Sequence, residues 1–395
     1  MKKKIVFVIP SLDAGGGEKS LVNLLNCLDF SQYDVDLILL NKKGLFLNSL
    51  PSEVNILELN EDYQVFTKNI KISILEFLKK GKLKLAFFRF MYGFILNTEQ
   101  NTGIAEQKSW RYLAKSIKLG TVNYDFAVGF LEKSSIYFSV DCIQADKKIG
   151  FIHNDYDKLD LDDKLDNNYF CQLNFIVTVS QECAKVLHAK FPQHHNKIKV
   201  IYNIVSEKLI HKLSLEKVEV NVSAPMILSI GRLHVQKGFD LAIESAFLLK
   251  KKKIDFQWLI IGEGAERIEL SKRIKERGLE KEFILVGLKE NPYPYVRQCT
   301  LYVQPSRYEG KSIAIDEAKI LGKPIVVTNF STAKDQIKSD VNGIIVEMNP
   351  DALATTIANL LVDKQHQNVL VNNLSNEQLG TESEINKLYE LLNEN

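Results

Sequence analysis

Ser306-Arg307-Tyr308-Glu309-Gly310-Lys311-Ser312-Ile313-Ala314-Ile315-Asp316-Glu317-Ala318, running on to Gly322-Lys323-Pro324, is the stretch on which the fold is read. Just before it, Leu301–Gln304 is a short apolar run that stops at Pro305. From Ser312 onward the apolar residues take helical spacing. A buried strand, a short loop and a helix in that order form the repeating unit of a parallel sheet. A helix starting near Ser312 leaves the amides of Lys311, Ser312 and Ile313 without intrahelical partners, and such an end attracts anions. Glu317 falls about one turn into that helix, where a carboxylate can accept two vicinal hydroxyls. The competing reading is a capped helix with a solvated glutamate.

The same unit recurs along the chain. In the first half strands are expected at Lys4–Pro10, Asp34–Leu40, Tyr124–Gly129, Lys147–Ile152, Asn174–Val179 and Lys199–Tyr202. In the second half they are expected at Met226–Ile230, Gln257–Ile261, Phe283–Val286, Leu301–Gln304, Pro324–Thr328 and Gly343–Val346, with helices such as Lys237–Lys253 and Ala265–Arg277 between. Ser206–Pro225 is polar and weakly patterned, and reads as a linker. The pattern implies two open α/β sheets in tandem, and parallel sheets bind ligands beyond the carboxyl ends of their strands. Two such sheets facing across a cleft suit a reaction with two substrates.

Three further stretches carry candidate chemistry. Gly231-Arg232-Leu233-His234-Val235-Gln236-Lys237-Gly238 follows an expected strand directly. There Arg232 offers a planar fork and Lys237 a mobile point charge, both suited to a diphosphate and to the charge of a departing nucleoside diphosphate. Gly15-Gly16-Gly17 after the first strand permits close approach of a phosphate or a sugar, and equally a plain tight turn. It is not GxGxxG, and no acid ends the second strand, so nicotinamide binding is disfavoured; Gly262-Glu263-Gly264 with Arg267 in the third glycine position is discounted likewise. His153 ends an apolar strand, a position from which it could meet a sugar hydroxyl, although a lone histidine is often structural. Asp155-Tyr156-Asp157 imitates a metal-binding DxD motif, but Asp160, Asp162, Asp163 and Asp166 continue the run, which reads as a solvated loop without metal.

Bulk properties remove other classes. A chain of 395 residues is expected to hold two domains, and a net charge of +2 argues against a general nucleic-acid binder. The five dispersed cysteines fit a reducing compartment rather than a disulfide framework. Lys2-Lys3-Lys4 followed by Ile5–Ile9 is too short an apolar run for a secretory signal, and no stretch reaches membrane-span length, so a cytoplasmic location is expected.

Taken together, Gly15-Gly16-Gly17-Glu18, Gly231-Arg232 with Lys237-Gly238, and Glu309 with Glu317 resemble the retaining glycosyltransferases of family 4. The resemblance spans nearly the whole chain and is most specific from Gly231 to Ile345; Asn203 and His153 also fall where that family keeps an Asn and a His. It implies the GT-B fold, with two Rossmann-like domains: an acceptor domain over 1–205, a linker over 206–225, a donor domain over 226–379, and a terminal helix near 380–395 that packs back on the first domain. It also implies catalytic roles for His153 and Glu309, and donor binding by Arg232, Lys237, Glu309, Gly310, Lys311, Ser312, Ile313 and Glu317. Gly15, Gly16 and Gly17 would approach phosphate or acceptor. No metal and no cofactor is expected; the partners would be a nucleotide-sugar donor, with UDP expected, and a glycan or lipid-linked acceptor. Lys311-Ser312 depart from the aromatic and small residues that many members carry there. Alternatives left open are a sugar-nucleotide epimerase of the same fold and a binding protein without catalysis.

The least typical region is 67–96. Between Lys68 and Arg89 stand seven Lys or Arg and one acid, Glu76, interleaved with Ile70, Ile74, Phe77, Leu78, Leu83, Phe87 and Phe88. Such a stretch can lie on an anionic membrane surface, or pack its apolar faces on the domain.

Overall fold

A computed structural model describes residues 2–13, 15–218 and 224–394. The chain forms two compact units. The first comprises Met1–Asp13, Leu24–Ile201 and Ile385–Asn395, and the second Ala14–Asn23 with Tyr202–Glu384.

The first unit holds a seven-stranded, wholly parallel sheet in the order β3-β2-β1-β4-β5-β6-β7. Its strands are β1 (Lys3–Ile9), β2 (Tyr33–Leu39), β3 (Asn55–Leu57), β4 (Asn123–Gly129), β5 (Gln144–Ile152), β6 (Phe175–Thr178) and β7 (Ile198–Val200). Burial on both faces explains the unbroken apolar run Ile5–Ile9, every residue of which is fully buried. Edge strand β3 escaped the sequence reading because three residues cannot show an alternation. Trp110, in the helix Thr102–Leu113, is buried with Tyr137 and Phe138, and its indole N–H donates to Asp141 Oδ2 at 2.8 Å. The terminal helix Ile385–Asn393 also belongs to this unit: Tyr389 stacks on Tyr33 at 5.7 Å, and its hydroxyl accepts the Asp29 amide at 2.8 Å.

The second unit holds a six-stranded parallel sheet in the order β10-β9-β8-β11-β12-β13. These strands are β8 (Met226–Ile230), β9 (Gln257–Ile261), β10 (Phe283–Gly287), β11 (Leu301–Gln304), β12 (Ile325–Thr328) and β13 (Ile344–Val346). Successive residues feed opposite faces: Ile227, Trp258, Ile260 and Val303 pack in one core, and Met226, Leu228, Leu259 and Tyr302 in the other. Trp258 donates to Ser229 Oγ at 3.0 Å, and Ser229 donates on to Val303 O at 2.6 Å.

Two expectations are corrected. The linker contains a helix, Glu207–Leu213, capped by Ser206, whose Ile210 is buried with Val205, Tyr293, Ile313 and Ile320 of the second unit. Residues 219–223 of that stretch lie outside the described residues. The acidic run is not a solvated loop either. Asp155 and Asp162 cap helical turns, and buried Asp166 accepts hydrogen bonds from the Tyr137 and Tyr156 hydroxyls. Burial still holds the Asp166 carboxyl above its usual range against those two bonds.

Candidate active site

In the second sheet the strand order reverses between β8 and β11, and the loops leaving those two strands carry the candidate residues. Ligands of open parallel sheets bind at such a switch point.

After β8 the chain turns through Gly231 and Arg232 into a short 3-10 turn, Val235–Lys237, then through Gly238 into the helix Phe239–Lys251. Gly238 is left-handed, with φ 64°, and a Cβ there would sit 2.0 Å from Pro305 O, so only glycine fits. That close approach binds the β8 loop to the end of β11. Arg307 N donates to Gln236 O at 2.8 Å, and Gln236 Nε2 to Tyr308 O at 3.0 Å. Arg307 also forks onto Asp240 at 2.8 and 2.7 Å. The two loops form one rigid rim.

Glu309 sits within that rim at 5% exposure. Its Oε1 accepts from Lys237 Nζ at 2.6 Å, Ser306 Oγ at 2.6 Å and Gln304 Nε2 at 3.2 Å, and Thr332 Oγ1 donates to its main-chain carbonyl at 2.9 Å. Tyr302 OH in turn donates to Gln304 Oε1 at 2.7 Å. Among the described residues every one of these side-chain bonds falls on Oε1 rather than on the second carboxylate oxygen. The Lys237 stem lies across Gly231, where a Cβ would meet it at 3.1 Å. Arg232 is exposed, and its charge is felt at Tyr308, whose phenol burial and Glu309 push up while Arg232 pulls it back.

Glu317, on the helix Ile313–Ile320, is 2% exposed. Its Oε1 accepts from Tyr293 OH at 2.9 Å and from the Lys19 ammonium, which also lies 4.7 Å from the centre of the Tyr293 ring. Burial works against the Lys19 charge, yet Glu317 and Tyr293 more than offset it and hold the ammonium above its usual range. Lys19 was not singled out from the sequence. It stands beside the glycine motif, but its partner Glu317 lies hundreds of residues away; Tyr293 and Gln336 reach Glu317 and Ser312 across 24 residues each. Gly15 precedes and Gly16 opens the helix that carries Lys19, with Gly17 in its first turn. A Cβ on Gly16 would meet nothing within 4 Å, so packing does not require a glycine there.

One detail differs from expectation. The Ser312 amide is not open, because it donates to Gln336 Oε1 at 2.8 Å. The Lys311 side chain is held 3.1 Å from Asp316 Oδ2 and 4.7 Å from the Tyr202 ring centre, so its charge is neutralised within the unit. The main chain of Gly310, Lys311 and Ile313 remains at the helix start. Asn203 is fixed here too, accepting from Ser20 Oγ at 2.7 Å and donating to Lys311 O at 3.2 Å.

His153 belongs to the first unit, at the end of β5. Its ring lies 4.8 Å from Phe130 and 5.8 Å from Phe151, while its amide and that of Asn154 donate to Glu132 Oε1 at 2.7 and 2.8 Å. Among the described residues no group of three or more His, Cys, Asp or Glu is placed to hold a metal ion.

Known proteins resemble this chain over most of its length. Residues 212–376 match the family described as "Glycosyl transferases group 1". Over 364 residues, 91% of each chain, the sequence is 26% identical to the N-acetylgalactosamine-N,N'-diacetylbacillosaminyl-diphospho-undecaprenol 4-alpha-N-acetylgalactosaminyltransferase of Campylobacter jejuni. The fold matches a point mutant of TarM from S. aureus in complex with Fondaparinux, alpha-GlcNAc-glycerol and UDP, with a TM-score of 0.70, 17% identity, and 99% and 100% of the two chains covered. It also matches Anabaena HepE in complex with UDP and glucose, with a TM-score of 0.70, 16% identity and 99% of each chain covered. The two parallel α/β sheets match the GT-B fold of those structures, with two Rossmann-like units, and the family match within the second unit together with the relative makes the chain a glycosyltransferase.

Proposed function

We propose that this enzyme is a retaining, metal-independent transferase of a hexose or N-acetylhexosamine. The donor is a nucleoside diphosphate sugar, with UDP as the nucleotide, and the acceptor is a glycan or lipid-linked glycan in bacterial surface polysaccharide synthesis at the cytoplasmic face. The observation that carries this reading is the matched state of Glu309 and Glu317: each has one carboxylate oxygen fixed by protein donors and the other unclaimed by any described residue. Such a carboxylate is pre-oriented to accept hydroxyls without losing its own support. Glu317 takes the ribose hydroxyls, and Glu309 the hydroxyls of the transferred sugar. Lys237 spends one N–H on Glu309 and keeps the others, with Arg232, for the diphosphate. The UDP and the diphospho-undecaprenol acceptor are taken by analogy with these relatives.

In this reading the bond from the anomeric carbon to the diphosphate oxygen breaks as an acceptor hydroxyl bonds to the same face. The acceptor's proton passes to the departing phosphate. Arg232 and Lys237 stabilise the charge that gathers there. His153 orients a sugar hydroxyl, and the main chain at Gly15, Gly16 and Gly17 and at Gly310, Lys311, Ser312 and Ile313 approaches phosphate or acceptor.

The test is thermal stabilisation by a panel of nucleoside diphosphates in EDTA, on the wild type and Glu317→Ala. A ligand present at about 100 times its Kd raises stability by about 2.7 kcal/mol. A shift with UDP that the variant loses supports the donor site, and proton NMR of the new linkage then reads retention. No shift with any nucleotide, from a folded wild type, sinks the proposal.

A further inference from the structure

Within the first unit, the helices Ile70–Lys79 and Leu83–Thr98 form a hairpin that is apolar on both sides: Phe77 and Ala86 face the core, while a second apolar stripe faces outward. Leu83, Phe87, Phe90 and Phe94 follow one another at spacings of four, three and four, one stripe of the second helix, and are 66%, 56%, 52% and 52% exposed. Ile72 and Leu75 of the first helix are exposed to 51% and 57%. Every phenylalanine exposed among the described residues lies in this hairpin. Meanwhile Arg89, on the inner side between them, is 8% exposed. Its guanidinium lies 5.6 Å from the Phe66 ring centre and 5.4 Å from that of Tyr92, and it donates to Lys68 O at 3.0 Å. A helix in contact with water has no reason to bury its arginine and display its phenylalanines. Contiguous exposed apolar stripes of this kind mark a contact surface.

Charge selects the occupant. Lys80 pairs with Glu61 at 2.6 Å and Lys82 with Asp62, so two of the lysines are neutralised on the domain side. Lys71, Lys79 and Lys84 stay exposed, with no ion pair among the described residues. A second copy packed about a two-fold axis would bring these cations together, which costs energy. A bilayer with anionic headgroups meets both features at once: acyl chains for the phenylalanines, phosphates for the lysines. The second helix has 16 residues, and no helix of the described residues is long and apolar enough to cross a membrane, so the hairpin lies on the surface.

We propose that the hairpin 70–98 docks this enzyme on an anionic lipid bilayer, with Phe87, Phe90 and Phe94 inserted and Lys71, Lys79 and Lys84 at the headgroups. This deepens the lipid-linked acceptor reading, yet it rests on the first unit alone.

The experiment is co-sedimentation of the full chain with vesicles of phosphatidylcholine alone, or of phosphatidylcholine and phosphatidylglycerol in equal parts. Wild type is expected on the mixed vesicles, with binding weakened by salt. The triple variant Phe87→Ser, Phe90→Ser, Phe94→Ser is expected to lose roughly tenfold or more in apparent affinity. Lys71→Gln, Lys79→Gln, Lys84→Gln is expected to lose the preference for the mixed vesicles. Nucleotide-induced stabilisation, measured on the same preparations, stays at the wild-type level, which separates this proposal from the donor site and from misfolding. Wild type that stays in the supernatant overturns the proposal. So does a serine variant that binds as well as wild type, or a wild-type dimer that the serine variant dissociates while neither binds vesicles.

Discussion

The helix Ile313–Ile320 turns Glu317 inward to 2% exposure, whereas the helix Leu83–Thr98 turns Phe90 outward to 52%. The first hides a charge and the second shows an apolar ring. In neither case does the sequence around the residue require it, and in both the neighbours are arranged to make it tolerable. Around Glu317 the arrangement is a lysine and a tyrosine; beneath the hairpin it is an apolar core with Arg89 held between the Phe66 and Tyr92 rings. On the reading proposed above, the first is a polar, enclosed surface for a ligand and the second a wide apolar one.

The comparison can be broken in three places. Glu309→Gln keeps the shape and loses the charge beside Lys237; transfer activity should fall roughly 10²- to 10³-fold while the protein stays folded. Initial-rate measurements beside a melting curve check this, and near-normal rates would remove Glu309 from the chemistry. Lys19→Met should cost about 3 kcal/mol, because Glu317 is then left enclosed without its cation. Urea unfolding reads the loss. Since the Lys19 ammonium is held above its usual range, the contribution is complete at neutral pH, and in the wild type it fades only as pH rises past the ordinary lysine value of 10.5 and through the folded value. The smallest effect belongs to a pair that is about one third exposed. Burial disfavours the Asp240 carboxylate, but the Arg307 fork outweighs it and lowers the pKa below its usual 3.8. Asp240→Asn should therefore cost about 1 kcal/mol above pH 3.8, with solvent screening keeping the figure low. The gap to wild type should close as pH falls through the folded value, when Asp240 itself takes up a proton. A gap unchanged by acid would mean that the fork holds by packing rather than charge.

Much of this was legible in the sequence because strands buried on both faces announce themselves as apolar runs. Lys4–Pro10 and Met226–Ile230 were placed within a residue of β1 and β8. Glu309 and Glu317 stand out in the sequence by spacing and resemblance, but the enclosure of both carboxylates does not. The helix Glu207–Leu213 was not, since seven residues with one well-buried position, Ile210, show no period. Lys19, Tyr293 and Gln336 were hidden for a different reason: each acts through a partner distant in sequence, and no local pattern encodes that. The partners of the Lys311 side chain, Asp316 and Tyr202, could not be read from motif position. The basic hairpin was visible as a composition. Which of its phenylalanines face water was decided by the packing of Phe66, Tyr92 and Arg89 beneath it.

The chain has two tryptophans, and each unit holds one: Trp110 beside Tyr137 in the first, and Trp258 within β9 in the second. Both indoles are dry and hydrogen-bonded, to Asp141 and to Ser229. Emission from such an indole shifts to the red when its surroundings become wet. Trp110→Phe therefore leaves a chain whose remaining tryptophan reports on the second unit, and Trp258→Phe one whose remaining tryptophan reports on the unit with the hairpin. A chain of two units need not melt in a single step. With these two emitters, one titration of UDP and one of vesicles would each be seen by the half that receives it.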